Sequence, residues 1–246
     1  MVTPVLHYGV AAVTDPGRKR PTNEDAFRFS VEHGVYLVCD GMGGAAAGEI
    51  ASSVAADEVL RRLCDRHEDL PLAEVIDEAV QAANQAIYTR ARQTPEFSGM
   101  GTTLVGMAVS GAQVLVFNVG DSRCYRLRNL RLEQISQDHS LVAEQVRMGG
   151  MSADEARHSP HRHVITRALG TQGEVAPDLF VSEAEAEDLY LLCSDGLSGE
   201  LTDPLLESML AVDLPLDELC ARLVNAANQA GGSDNITCLL VRAGSD

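Results

Sequence analysis

Five acidic points in this chain stand at the ends of apolar runs. Residues 35–39 lead into Asp40 within VCDGMGG. Residues 189–194 lead into Asp195 within LLCSDGLSG, and residues 114–119 lead through Gly120 into Asp121 within VFNVGDSR. Asp234 precedes an apolar run in SDNITCLL, and Asn23-Glu24-Asp25 precedes residues 26–30. Any one of these is an ordinary turn or loop. Apolar runs that share one core, however, bring their ends together, and a buried carboxylate must be paired or bound to a cation. All-oxygen ligation suits hard ions such as Mg2+ or Mn2+. The D-x-D-x-D-G spacing of an EF-hand calcium loop is absent. Gly41, directly after Asp40, lets a backbone carbonyl or a substrate come close.

Paired cations of this kind hydrolyse phosphoesters: about 3.5–4 Å apart, they share a carboxylate and a water that becomes hydroxide near neutral pH and attacks phosphorus in line. Such a site also needs a cationic clamp for the phosphate. Arg20, in GRKRPTNED, is the candidate, because a guanidinium binds phosphate as a planar fork. The alternative is a surface arginine beside Arg18 and Lys19.

The elements that must position these groups are legible in outline. Residues 7–13, 26–30 and 35–39 read as strands, the last two joined by a turn at Glu32-His33-Gly34. Residues 46–64 and 72–92 read as long helices with one apolar face. Strands follow at 102–109, 114–119, 124–127 and 131–135, the last pair joined at Arg128-Asn129-Leu130. Residues 140–148 read as a short helix, and 151–163 as a polar, mobile excursion. Strands resume near 175–181 and at 189–194, helices at 204–210 and 216–230, and a last strand at 235–242. Hairpin-like links without regular strand–helix–strand alternation predict an α+β layered domain with largely antiparallel sheets. No linker divides the chain, so residues 1–246 are expected to form one domain.

Composition narrows the functional classes. The net charge of -17 disfavours nucleic acid as a partner. No apolar run is long enough for a membrane span, and the N-terminus lacks a signal-peptide pattern. The six cysteines form no CxxC pair and sit mostly in apolar runs, which points to the reducing cytoplasm.

The motifs RPTNEDAF, VCDGMGGAAAGEIAS, SGMGTTL, VFNVGDSR, DHSLV, VITRALG, LLCSDGLSG and GGSDNITCLLVR follow one another in this order. As a set, spanning about residues 7–243, they resemble the bacterial metal-dependent serine/threonine protein phosphatases of the PPM, or type 2C, family. The resemblance implies a sandwich of two antiparallel β-sheets flanked by helices on both sides, with metals at one edge. It implies hydrolysis of phosphoserine and phosphothreonine in proteins without a covalent phosphoenzyme, with Mn2+ or Mg2+ as cofactor: two core ions and a third. By motif, Asp40 bridges the core ions and the Gly41 carbonyl binds one of them. Asp195 and Asp234 complete the first, and Asp25 with Glu24 supports the second. Asp121 and Asp195 hold the third, Arg20 grips the substrate phosphate, and about 144–163 is the flap beside the site.

Two departures stand out. Relatives usually read DGMGGH, where this chain has Ala45; the missing histidine leaves the proton for the leaving oxygen to bound water or to His139, His161 or His163. Relatives also often carry asparagine at position 163. The expected partners are phosphorylated proteins and a cognate Ser/Thr kinase pathway, with no nucleic acid and no membrane, for a cytoplasmic monomer. Two other readings stay open: a binding module with little catalysis, and a phosphatase restricted to one phosphorylated regulator. The chain length leaves no room for a fused sensor domain.

Overall fold

The structure, a computed structural model, describes residues 6–43, 47–67 and 69–245. Its strands form two antiparallel sheets. One contains β1 (Leu6–Asp15), β11 (Ile236–Ser245), β10 (Leu189–Cys193), β7 (Arg123–Arg128) and β8 (Arg131–Gln134), in that spatial order. The other runs β2 (Asp25–Ser30), β3 (Val35–Met42), β5 (Leu104–Ser110), β6 (Gln113–Val119) and β9 (Asp178–Glu183), with the short β4 (Gly101–Thr102) added to β3.

The sheets pack face to face, and side chains alternate between the two faces of each strand. Tyr36, Val38, Val105, Met107, Val114 and Val116 meet Tyr190, Leu192, Leu239 and Val241 in the space between the sheets. The opposite side chains of the second sheet, among them Val35, Leu37 and Phe117, pack on α1 (Ala47–Cys64) and α2 (Leu72–Gln93). Those of the first sheet, among them Leu191 and Leu240, pack on α6 (Asp203–Leu210) and α7 (Leu216–Ala230). Both faces of the central strands are therefore buried, which is why they read as continuous apolar runs rather than alternating ones. The expected layered α+β sandwich is the observed fold. The β7–β8 turn is a two-residue loop with positive φ at Asn129 and Leu130 (50° and 62°), the twist that suits a tight hairpin.

The details differ in five places. β3 does not stop at Asp40: it runs on to Met42, exchanging β5 for β4 as its neighbour. The expected strand at 102–109 is accordingly two strands, interrupted at Thr103. The stretch 151–163 is not all irregular, since α4 (Ala153–His158) lies in it after α3 (Leu141–Arg147). Ser152 caps α4, accepting from the Glu155 N–H while the Glu155 carboxylate accepts from Ser152 N–H, a capping box written in the sequence as S-x-x-E. The strand expected near 175–181 begins later, at Asp178, and a four-residue helix, α5 (Asp195–Ser198), starts at Asp195 itself. No helix among the described residues is long and apolar enough to cross a membrane.

Candidate active site

Asp25 and Asp40 lie opposite each other across β2 and β3. Paired residues point to the same side of a sheet, and the pairs beside them, such as Phe27 and Val38, face the other sheet. Both carboxylates therefore point towards the ends of β10 and β11. The Asp40 backbone is fixed twice. Its N–H donates to Thr103 Oγ1 (2.9 Å), and its carbonyl accepts from Thr103 N–H and Thr102 Oγ1 (both 2.9 Å). Thr103 Oγ1 also shares a 2.7 Å hydrogen bond with Ser122 Oγ, which links Asp40 to the neighbour of Asp121.

Asp195 and Asp234 come from the adjoining ends of the other sheet, one following β10 and one preceding β11. Asn235 holds the loop before β2 in place: its Oδ1 accepts from Glu24 N–H, and its Nδ2 donates to the carbonyls of Pro16 and Thr22. Asp25 is buried, and its Oδ2 accepts hydroxyls from Ser194 (2.7 Å) and Thr237 (2.6 Å), while its buried Oδ1 has no hydrogen-bond partner.

The electrostatics follow from this crowding. Burial pushes the Asp25 carboxyl up to about 7 despite its two hydroxyl donors, and the charges of Asp195 and Asp234 add to the shift. Asp121 rises to about 8, by burial and then by Asp195 and Asp138. Asp40 rises well above the usual carboxylate range through burial and the charges of Asp25, Asp195, Asp121 and Asp234. Left to itself, the cluster binds protons where it could bind cations.

Glu24 and Arg20 flank the cluster. Gly41 N–H donates to the Glu24 carbonyl (3.1 Å), and a Cβ on Gly41 would strike the carbonyls of Glu24 and Gly48. A Cβ on Gly48, in the first turn of α1, would strike the Glu24 carboxylate. Gly41 is thus required by close backbone approach, and Gly48 by the Gly41 backbone carbon 2.9 Å from where its Cβ would sit. Arg20 Nη2 donates to Asp234 Oδ2 at 2.7 Å, so the expected phosphate clamp rests on an expected metal ligand. Among the described residues, no three carboxylate, histidine or cysteine side chains already close around one metal-sized point.

The histidines separate cleanly. His139 is buried; its Nδ1 accepts from Gly120 N–H (3.0 Å) and its Nε2 lies 3.1 Å from Asp178 Oδ2, so its contacts are structural. His161 is exposed. His163, from the segment after α4, reaches Asp195, with Nδ1 3.6 Å from Oδ2, and that contact raises its pKa. Ala45 lies outside the described residues. The sequence reading gives no role to Ser194, Thr237, Asn235 or Thr103; the first three lie inside motifs that carry an aspartate, and Thr103 lies in SGMGTTL, which carries none.

Comparison with known proteins agrees with this architecture. A family profile described as Protein phosphatase 2C matches residues 18–241. The chain belongs to the protein phosphatase 2C family. Serine/threonine phosphatase stp of Listeria monocytogenes is 40% identical over 238 residues, covering 93% of each chain. Serine/threonine protein phosphatase PstP of Mycobacterium tuberculosis is 42% identical over 97% of this chain, which spans 45% of that protein. A crystal structure of the PstP catalytic domain in complex with two manganese ions superposes with a TM-score of 0.89 at 35% identity, covering 98% of this chain and 100% of that one. The phosphatase 2C motifs are therefore carried by a matching fold over nearly the whole chain.

Proposed function

We propose that this protein hydrolyses phosphoserine and phosphothreonine in proteins with the help of bound Mn2+ or Mg2+. One observation carries the reading: five aspartates from the ends of two packed sheets share one electrostatic environment, and the buried Asp25 keeps an unpartnered oxygen there. An acidic donor set without sulfur or a committed histidine fits hard divalent cations. The metal-dependent relatives make phosphoester hydrolysis the reading of that set.

In this reading Asp40, Asp195, Asp234 and the Gly41 carbonyl hold the two core ions, with Asp25 and Glu24 in support, and Asp121 with Asp195 takes a third. When bound, the ions supply Lewis-acid polarisation of the phosphoryl group and activation of water. Arg20, at the edge of the cluster beside Asp234, would meet the phosphoryl oxygens with its guanidinium fork. Thr102 and Thr103 keep the Asp40 backbone still while its carboxylate is shared. The segment at about 144–163 forms a flap beside the site, with His163 at its edge.

The substrates are phosphorylated proteins supplied by a Ser/Thr kinase, and the protein works as a cytoplasmic monomer built from one domain. Phosphate release from a phosphothreonine peptide tests the reading. Turnover with Mn2+ that EDTA abolishes supports it. No turnover from folded, metal-loaded protein on a broad set of phosphopeptides and phosphoproteins overturns it in favour of a binding role.

A further inference from the structure

The carboxylate of Asp25 is held in an unequal way. Its Oδ2 accepts two short hydroxyl bonds, from Ser194 Oγ at 2.7 Å and Thr237 Oγ1 at 2.6 Å. Those hydroxyls are themselves held. Ser194 Oγ accepts from Thr237 N–H at 3.0 Å, and Thr237 Oγ1 pairs with Thr14 Oγ1 at 2.8 Å. Ser194 and Thr237 are fully buried, and they come from the ends of β10 and β11, whereas Asp25 opens β2 in the opposite sheet. The Asp25 Oδ1 is buried with no partner at all. Leaving a buried acceptor unsatisfied is costly, and more so when it is charged. A fold that supplies two donors to one oxygen and none to the other is presenting the second to something it does not itself contain.

We propose that Ser194 and Thr237 are positioning residues: together they occupy Asp25 Oδ2, fix the carboxylate plane across the two sheets, and turn Oδ1 towards the cations held with Asp40, Asp195 and Asp234. The inference rests on the metal-dependent reading given above and names residues which that reading leaves without a role. It also accounts for the hydroxyl type at both positions. An apolar side chain would leave Oδ2 seeking its own partner, and the carboxylate could then rotate. Donors that orient metal-binding groups in this way typically change metal affinity by about 10–100-fold when removed.

The test is Mn2+ binding to the full chain, measured by isothermal titration calorimetry, so that it does not depend on turnover. Thr237→Val keeps the shape and removes the hydroxyl, Ser194→Ala removes the other donor, and Thr237→Ser restores a hydroxyl. The expected result is Mn2+ affinity weakened about tenfold or more by Thr237→Val and by Ser194→Ala, and within about threefold of the parent for Thr237→Ser. Asp25→Asn closes the cycle. If Thr237 acts through Asp25, Thr237→Val adds little to the loss that Asp25→Asn already causes. Unchanged affinity in both hydroxyl variants, or additive losses in the double variant, overturns the inference while leaving the metal-dependent reading intact. A parent protein that binds no Mn2+ overturns that reading instead. Circular dichroism on each variant confirms folding, and should Thr237→Val not fold, Ser194→Ala and its combination with Asp25→Asn decide the matter.

Discussion

Asp25 and Asp40 are cross-strand partners, set on the same side of the sheet and facing the ends of the other one. Like charges placed directly opposite on neighbouring strands destabilise a sheet. Here the arrangement sits at the rim of a well-packed sandwich whose apolar layers outweigh it.

Replacing Asp40 should separate stability from function. Asp40→Asn removes a carboxyl that folding must either protonate or hold charged among like charges, so without cations the protein should melt higher at about pH 8, by roughly 2–4 °C for each kcal/mol relieved. The same change should lower Mn2+-dependent hydrolysis of a phosphothreonine peptide by at least about a hundredfold. Differential scanning calorimetry and a phosphate-release assay check the two halves. A variant that keeps full activity would remove Asp40 from the site.

The raised carboxyl pKa values set a pH dependence. Asp25 and Asp121 move from 3.8 to about 7 and about 8 on folding without cations. The folded state therefore holds protons that the unfolded chain has released, and this stabilisation is full below 3.8 and lost as pH rises through 7 to 8. His139, lowered by burial, acts the other way, but only as pH falls below its ordinary 6.5. Without cations the protein should thus lose stability progressively as pH rises from about 4 to about 8, with little further loss above that. Mn2+ must displace those protons, so its affinity should rise by about tenfold per pH unit for each proton released over the same range. Urea unfolding and Mn2+ titration at several pH values would show both trends; a flat Mn2+ affinity would mean that the carboxylates do not titrate with the metal.

Arg20 donates to Asp234, so under the proposed function it would compete with the cation as well as clamp phosphate. Arg20→Ala should raise KM for a phosphopeptide by roughly tenfold or more, the loss expected for a charged hydrogen bond. It should leave Mn2+ affinity equal or tighter, because Asp234 is freed. Arg20→Lys should recover little of the KM effect, since an ammonium lacks the planar fork. Steady-state kinetics beside Mn2+ titration would show whether the two effects separate.

Away from the site, Asp188 is 1% exposed and is held by Arg128 through Nε at 2.7 Å and Nη2 at 2.5 Å. Arg128→Ala leaves that buried carboxylate without its cation, with only the Glu185 N–H and the Tyr190 hydroxyl as donors, and should cost about 3–5 kcal/mol. The exposed pair of Arg61 with Glu58 should contribute little, so Arg61→Ala should leave stability nearly unchanged. Chemical denaturation of the two variants side by side gives the comparison directly.

Much of this was legible in the sequence because two physical signals were strong. Strands buried on both faces left apolar runs, and the long helices carried apolar faces, so most elements stood near their expected places. The extension of β3 past Asp40 was hidden because Gly41 has little strand preference of its own and is held there by pairing with Thr102. α4 was hidden by its polarity, although Ser152 and Glu155 marked its start. The aspartates could be read from their positions at run ends. Ser194 and Thr237 could not, since their hydroxyls matter only because packing brings two sheets within hydrogen-bonding distance of Asp25. The contact of His163 with Asp195 depends on the path of the segment after α4, for which no local pattern exists.

The central claim, that these strand-end carboxylates gather divalent cations, is tested most directly by anomalous diffraction at the manganese edge from crystals grown with Mn2+. The account predicts two strong peaks beside Asp40, one also against Asp195 and Asp234, with Arg20 withdrawn from Asp234. Crystals with no anomalous density among these residues at saturating Mn2+, or with Arg20 still seated on Asp234, would contradict it.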